Sequence, residues 1–189
     1  MKNYKNTLMV VAGGTGGHIY PSLSLIKEIN DFKIIIVTDQ RGKEYFKNFL
    51  HKNNLNYKIF IHKVTSPTNK PLINKFISLF EIFLSFLKSL KLVFIHKPDV
   101  VIGFGGYPTV APILAAKISK VNTIIHEQNA IIGRGNNLLS KISDVVALSF
   151  PKTKTTKKIK NSIFSGNPVR QEFYDIGDDR YSKKISSKT

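Results

Sequence analysis

The chain has 189 residues, with 29 Lys and Arg against 12 Asp and Glu, a net charge of +17, and neither Cys nor Trp. This length suits one ordinary domain with a tail, and a 42% hydrophobic content excludes a disordered or collagen-like chain. Absence of Cys excludes a disulfide scaffold, Cys-based zinc sites and thiol catalysis. The charge points to an anionic partner such as acidic lipid, nucleic acid or a phosphorylated ligand, unless it reflects only the lysine bias of an AT-rich genome.

The first dozen residues carry two lysines and a short apolar run that continues into a folded pattern without a cleavage site, so no secretion signal is expected. Residues 7–12 then read as a buried strand and lead into Gly13-Gly14-Thr15-Gly16-Gly17-His18. A helix is expected over 21–30, with Pro21 at its start, where a missing N–H costs nothing. Strands over 33–38 and 57–61 flank a helix over 42–51. Residues 72–95 form the longest apolar stretch, but Lys75, Glu81, Lys88 and Lys91 interrupt it, which favours a surface-lying or core-packed helix over a bilayer span. A strand over 99–103, a helix over 108–119, a strand over 122–126, a helix over 132–142 and a strand over 144–148 continue the alternation. A lysine-rich turn and a last short strand over 161–165 follow, and 175–189 reads as a linker or tail. Strand and helix in strict turn predict βαβ units, hence a doubly wound α/β fold with a parallel sheet, in a domain covering 1–174.

Three segments at strand ends carry polar or glycine-rich signals. The loop from Gly13 to Gly17 sits between a strand and a helix, where bared N–H groups and the helix dipole suit a phosphate. It is neither the dinucleotide fingerprint, since Ile19 stands where the third Gly would be, nor a Walker loop. Gly103-Phe104-Gly105-Gly106-Tyr107 repeats the arrangement after the fourth strand, and both loops fall on one sheet edge, so a large or doubly phosphorylated ligand is expected; tight helix packing at both is the plainer alternative. His126-Glu127-Gln128-Asn129 ends the fifth strand on the same edge, where its polar groups need either a ligand's hydroxyls or a role in capping the next helix, for which Asn129 is suited. His18 has the pKa range of a base near neutrality, and a hydrogen-bonding role at a helix start is its alternative. Arg170, after the turn Gly166-Asn167-Pro168, suits a phosphate or carboxylate. The helix from Leu72 holds more apolar residues than one face can bury, and Lys70, Lys75, Lys88 and Lys91 bracket it, so it is a candidate for an anionic membrane surface or for packing on a second domain.

Taken in order, Gly13-Gly-Thr-Gly-Gly-His-Ile-Tyr-Pro21, Gly103-Phe-Gly-Gly-Tyr107, His126-Glu-Gln-Asn129 and Gly166-Asn-Pro-Val-Arg170 resemble the MurG family of bacterial N-acetylglucosaminyltransferases over residues 7 to about 173. The resemblance implies the N-terminal Rossmann-like domain of a GT-B glycosyltransferase, without metal or cofactor. It implies inverting transfer of N-acetylglucosamine from UDP-GlcNAc to the muramoyl sugar of undecaprenyl-diphosphate-muramoyl-pentapeptide, at the cytoplasmic face of the inner membrane as a peripheral protein. By the same resemblance, Gly13, Gly14, Gly103, Gly105, Gly106 and Tyr107 would meet the acceptor diphosphate, and Thr15, Gly16, Gly17, Asn129 and Arg170 the donor. His18 would be the base or an acceptor-orienting group, with Glu127 the second candidate. Leu72, Ile73, Phe76, Phe80 and Phe83 would touch the membrane. Two departures stand out: Pro108-Thr-Val-Ala-Pro112 replaces a Ser-Gly-Pro-like sequence, and the family's donor domain should begin near residue 190. The chain therefore reads as an acceptor half, a truncated product or one subunit of a split transferase, needing a donor domain in cis or trans. A non-catalytic polyprenyl-phosphate or nucleotide-sugar binding module is the alternative. A nucleic-acid partner is not expected, because it would rest on charge alone.

Overall fold

The computed structural model describes residues 5–29, 31–53, 55, 57–68, 70–155, 159 and 161–169. The expected tail over 175–189 and Arg170 lie outside them. In chain order the elements are β1 (Asn6–Val11), α1 (Gly16–Glu28), β2 (Phe32–Thr38), α2 (Gln40–Lys52), β3 (Lys58–Ile61), α3 (Leu72–His96), β4 (Val100–Gly103), α4 (Tyr107–Ile118), β5 (Asn122–Glu127), α5 (Arg134–Leu139), β6 (Val145–Leu148) and β7 (Ser162–Phe164). All seven strands pair in parallel, in the order β3-β2-β1-β4-β5-β6-β7. This is the doubly wound α/β sheet that the alternation predicts.

Period-two geometry divides the core. Leu8 and Val10 of β1, with Ile34 and Ile36 of β2, face one layer and meet Ile19, Leu23 and Ile26 of α1 and Phe46 and Leu50 of α2. Met9 and Val11 face the other, where Val101, Ile125 and Val146 pack against Leu92 and Val93 of α3, Ile113 and Ala116 of α4 and Leu139 of α5. Burial on both faces explains why the strands are unbroken β-branched runs rather than alternating ones. The winding reverses between neighbours β1 and β4, so α1 and α4 leave toward opposite faces and open a crevice at the carboxyl edge.

Two expected helices shift by three residues or more at one end. Helix α1 begins at Gly16, and Pro21 lies inside it rather than at its start. The missing Pro21 N–H leaves one intrahelical bond unmade, but buried Ile19, Leu23 and Ile26 keep a helical stripe on the sheet through that point, and this packing outweighs the loss. Helix α5 has only six residues, where the pattern predicted a helix over 132–142. Ile131 pairs with Lys154 in a parallel bridge and the Ile132 N–H donates to the Lys154 carbonyl at 2.9 Å, so the chain stays extended as far as Gly133, the N-cap.

Candidate functional site

Both glycine loops lie at the crevice and touch. Gly14, Gly105 and Gly106 have φ of +89°, +90° and +77°, a left-handed conformation that side chains resist. A Cβ on Gly106 would stand 3.2 Å from the Gly13 carbonyl oxygen, so the close approach of the loops also requires glycine. The first loop is anchored by a residue the sequence reading overlooked. Asp39, 3% exposed at the end of β2, accepts from the Gly14 N–H at 3.1 Å and caps α2 by accepting from the Gly42 N–H at 3.0 Å. Arg41 pairs with the same carboxylate at 3.0 Å and remains largely exposed at the rim of the loop. The legible signal was an Asp three residues before Gly42, just after an apolar strand, which is an N-cap pattern. Thr15 and Gly17 are exposed at the start of α1, and Thr15 makes no side-chain cap bond there.

The second loop is fixed by Thr109, whose hydroxyl donates to the Gly105 carbonyl at 2.6 Å, and by the packing of Thr109 where a Gly103 Cβ would be. Tyr107 reaches back to the segment before α3, its hydroxyl 2.7 Å from that of Thr68. Half-buried His18 lies against this loop: a Cβ on Gly105 would be 3.0 Å from its Nδ1 and Cε1.

The four polar residues ending β5 find their partners in their own chain, and none caps α5, whose N-cap is Gly133. Glu127, 1% exposed, accepts four hydrogen bonds: from the Asn129 N–H (3.0 Å) and Nδ2 (2.8 Å) on Oε1, and from the Gly133 N–H (2.9 Å) and Asn136 Nδ2 (3.0 Å) on Oε2. Its lone pairs are thus committed to holding the loop that returns to α5, an arrangement suited to a structural carboxylate rather than to a proton acceptor. Exposed Asn129 is oriented by that carboxylate. Asn136, also overlooked in the sequence, is buried and donates to the His126 carbonyl at 2.9 Å as well. His126 is buried too, and burial pushes its imidazole below the ordinary histidine value against the opposing pull of the Gly166 carbonyl and Glu127. Its Nε2 lies 3.0 Å from the Gly166 carbonyl oxygen, and its Nδ1 lies 3.0 Å from Gln128 Nε2. Gln128 Oε1 in turn stands 3.1 Å from His18 Nδ1. His18 and the turn at Gly166, 148 positions apart, are therefore joined through two side chains.

Beside this edge, α3 is inverted up to Ser89, and only Leu92 and Val93 near its end turn apolar side chains into the core. Its buried residues include Ser78, Glu81, Ser85 and Ser89, whereas Leu72, Ile73, Phe76, Phe80 and Phe83 are exposed, Ile73 by 75% and Phe76 by 64%. Beneath it the Glu81 carboxylate accepts from the Thr65 hydroxyl (2.7 Å) and N–H (3.1 Å) and pairs with Lys63 (3.3 Å). Burial raises the Glu81 pKa, but these donors more than offset it and the group lies below its usual value. Lys70, expected among the basic residues of the rim, instead donates to Thr65 and Ser78 at 2.9 and 3.0 Å, while Lys75, Lys88 and Lys91 are exposed. Among the described residues no helix is long and apolar enough to cross a membrane, and no group of three His, Cys, Asp or Glu is placed to hold a metal ion.

Comparison with known proteins agrees with this arrangement. Residues 8–148 match the glycosyltransferase family 28 N-terminal domain. The chain is 32% identical over 173 residues to a Rickettsia rickettsii protein and 35% identical over 170 residues to one from Sinorhizobium fredii. Both are named UDP-N-acetylglucosamine--N-acetylmuramyl-(pentapeptide) pyrophosphoryl-undecaprenol N-acetylglucosamine transferase; the alignments cover 89% and 88% of this chain but 43% and 44% of those proteins, so the chain spans just under half their length. The crystal structure of MurG from Acinetobacter baumannii superposes with a TM-score of 0.70 at 27% identity, covering 90% of this chain and 48% of that one. S. aureus MnaA, a co-structure with UDP, shares the fold at a TM-score of 0.64 and 15% identity, over 86% of this chain and 45% of that one. A parallel sheet in this order, two abutting glycine loops at its switch point and a family match across β1 to β6 lead to one conclusion: the chain belongs to glycosyltransferase family 28, as its N-terminal domain.

Proposed function

We propose that the chain is the acceptor-binding, membrane-docking half of a transferase that moves N-acetylglucosamine from UDP-GlcNAc to the muramoyl sugar of undecaprenyl-diphosphate-muramoyl-pentapeptide, acting with a donor-binding half in cis or trans. The observation that carries this reading is His18 held against the point where two glycine loops meet, both baring backbone at a helix start. In the reaction His18 takes the proton of the acceptor C4 hydroxyl as its oxygen bonds the anomeric carbon from the face opposite the leaving group. The bond from that carbon to the UDP oxygen breaks, UDP departs with the electron pair, and the anomeric centre inverts. Gly13, Gly14, Gly103, Gly105, Gly106 and Tyr107 receive the acceptor diphosphate, with Arg41 a further cation at the rim; Thr15, Gly16, Gly17 and Asn129 serve the donor, as does Arg170, which lies outside the described residues. The apolar face of α3 with Lys75, Lys88 and Lys91 docks on anionic lipid at the cytoplasmic side of the inner membrane, and the contact of Tyr107 with Thr68 supports an acceptor loop set close to that face.

Binding measurements on the 189-residue chain test the assignment of halves. It should bind a polyprenyl-diphosphate sugar measurably and UDP-GlcNAc weakly or not at all, and it should transfer no sugar until a matching second half is added. Tight binding of UDP-GlcNAc by this chain alone would overturn the assignment.

A further inference from the structure

Each contact between His18 and the Gly166 carbonyl constrains where a proton can sit. A backbone carbonyl only accepts, so His126 Nε2, 3.0 Å away, must carry hydrogen. In the neutral ring Nδ1 is then an acceptor, met by the amide Nε2 of Gln128 at 3.0 Å. That amide has one orientation open to it. Its Nε2 also lies 3.3 Å from the His126 carbonyl oxygen, and turning it over would set oxygen against oxygen there. Gln128 Oε1 therefore faces His18 Nδ1, and because that oxygen only accepts, Nδ1 must hold the proton.

We infer that Gln128 and His126 form a relay, anchored on the Gly166 carbonyl, that locks His18 in its Nδ1–H form and leaves the Nε2 lone pair as the basic site. Among the described residues no hydrogen-bond partner is found for His18 Nε2. A histidine side chain in water favours the opposite, Nε2–H form, so the protein must hold this one. Burial of His126, which disfavours its cation, keeps the relay's central ring neutral and hence directional. Gln128 and His126 are positioning residues in this scheme. Their importance to transfer rests on the reading of His18 as the base; the tautomers do not.

Two-bond ¹H–¹⁵N correlation of the imidazoles in the ¹⁵N-labelled 189-residue chain, at about pH 8, reads the tautomers directly. His18 should show Nδ1–H and His126 Nε2–H. In Gln128→Leu, His18 should revert to predominantly Nε2–H while His126 keeps its proton. An Nε2–H signal for His18 in the unmodified chain, or an Nδ1–H signal that survives Gln128→Leu, overturns the relay. With a donor half added, Gln128→Leu should lower kcat about tenfold or more with KM little changed. Should the tautomers match but His18→Ala transfer normally, the relay stands and the assignment of the base fails.

Discussion

The carboxyl edge of the sheet and helix α3 each bury a histidine and a carboxylate, and they do so to opposite ends. At the edge, Glu127 and His126 draw in backbone N–H groups, Asn136 and Gln128, and so tie the loops bordering the crevice to the start of α5. Under α3, Glu81 and His62 engage Thr65, Lys63 and Ser85, and what they hold is the first part of a helix whose Leu72, Ile73, Phe76, Phe80 and Phe83 face outward. A buried polar network in the first place fixes the backbone around the crevice; in the second it stands where a hydrophobic seam would run along most of the helix, and so leaves an apolar surface exposed.

The largest effect should come from breaking the edge network. Replacing Glu127 by Ala takes the shared acceptor from four donors, of which the Asn136 amide is buried while those of Asn129 and Gly133 can turn to water, and empties a side-chain site that is 1% exposed, which should cost about 3 kcal/mol or more in urea unfolding. A loss below about 1 kcal/mol would show that the loop does not depend on this carboxylate. Next in size is His18→Ala in the reconstituted transferase, where removal of a general base should lower turnover about 100-fold or more, equivalent to about 2.7 kcal/mol, with little change in folding. Near-normal turnover would return His18 to a hydrogen-bonding role and move the base to another group.

The third test separates the two histidines. His62 is 3% exposed, its Nδ1 lies 2.8 Å from the Ser85 hydroxyl, and burial, with Lys88 adding its charge, lowers its pKa to about 4. The unfolded chain takes up that proton near pH 6.5, so between about pH 6.5 and 4 the unfolded state binds more protons and stability falls as the pH falls. At about 1.4 kcal/mol per unit, the loss across this window is on the order of 3 kcal/mol. His126 acts in the same direction, so the measurement is the difference between the unmodified chain and His62→Gln, whose stability should be flatter across the window. Asp144, held down to about 2 chiefly by its bond to Lys117, loses its contribution only as the pH falls from about 4 toward 2 and does not overlap. Identical slopes in both proteins would mean that His62 is not buried neutral.

These regions differ equally in how far the sequence discloses them. Sheet, strand order class and both glycine loops are legible because β-branched runs and Gly clusters report local conformation. The internal bonding of residues 126–129 is not, because it depends on Gly133, Asn136 and Gly166, which local pattern does not bring to the end of β5. Asp39 was legible as a cap but not as the anchor of Gly14, a contact across two strands. For α3 the excess of apolar residues was visible. Which face turned inward was not, since it is decided by Thr65, Lys63 and His62 in the preceding segment, and those residues show no periodicity of their own.

The smallest effect on folding, and the sharpest test of the inversion, is at the outer face of α3. Phe76 and Phe80 are 64% and 61% exposed, so their replacement by Ser removes only the minor, buried share of each ring and should cost no more than about 1 kcal/mol of unfolding free energy per site. On a membrane the same rings would be withdrawn from water, and losing both should weaken binding to anionic vesicles about tenfold or more. Because Lys75, Lys88 and Lys91 stand exposed on the same helix, binding should also weaken as salt rises, through screening of their attraction to the lipid headgroups. Co-sedimentation with phosphatidylglycerol vesicles at low and high salt, beside urea unfolding of the same variant, measures both quantities. Loss of folding with loss of binding would place the rings in a core and refute the inversion. Equal binding to neutral vesicles, indifferent to salt, would strip the lysines of their part while leaving the apolar contact in place.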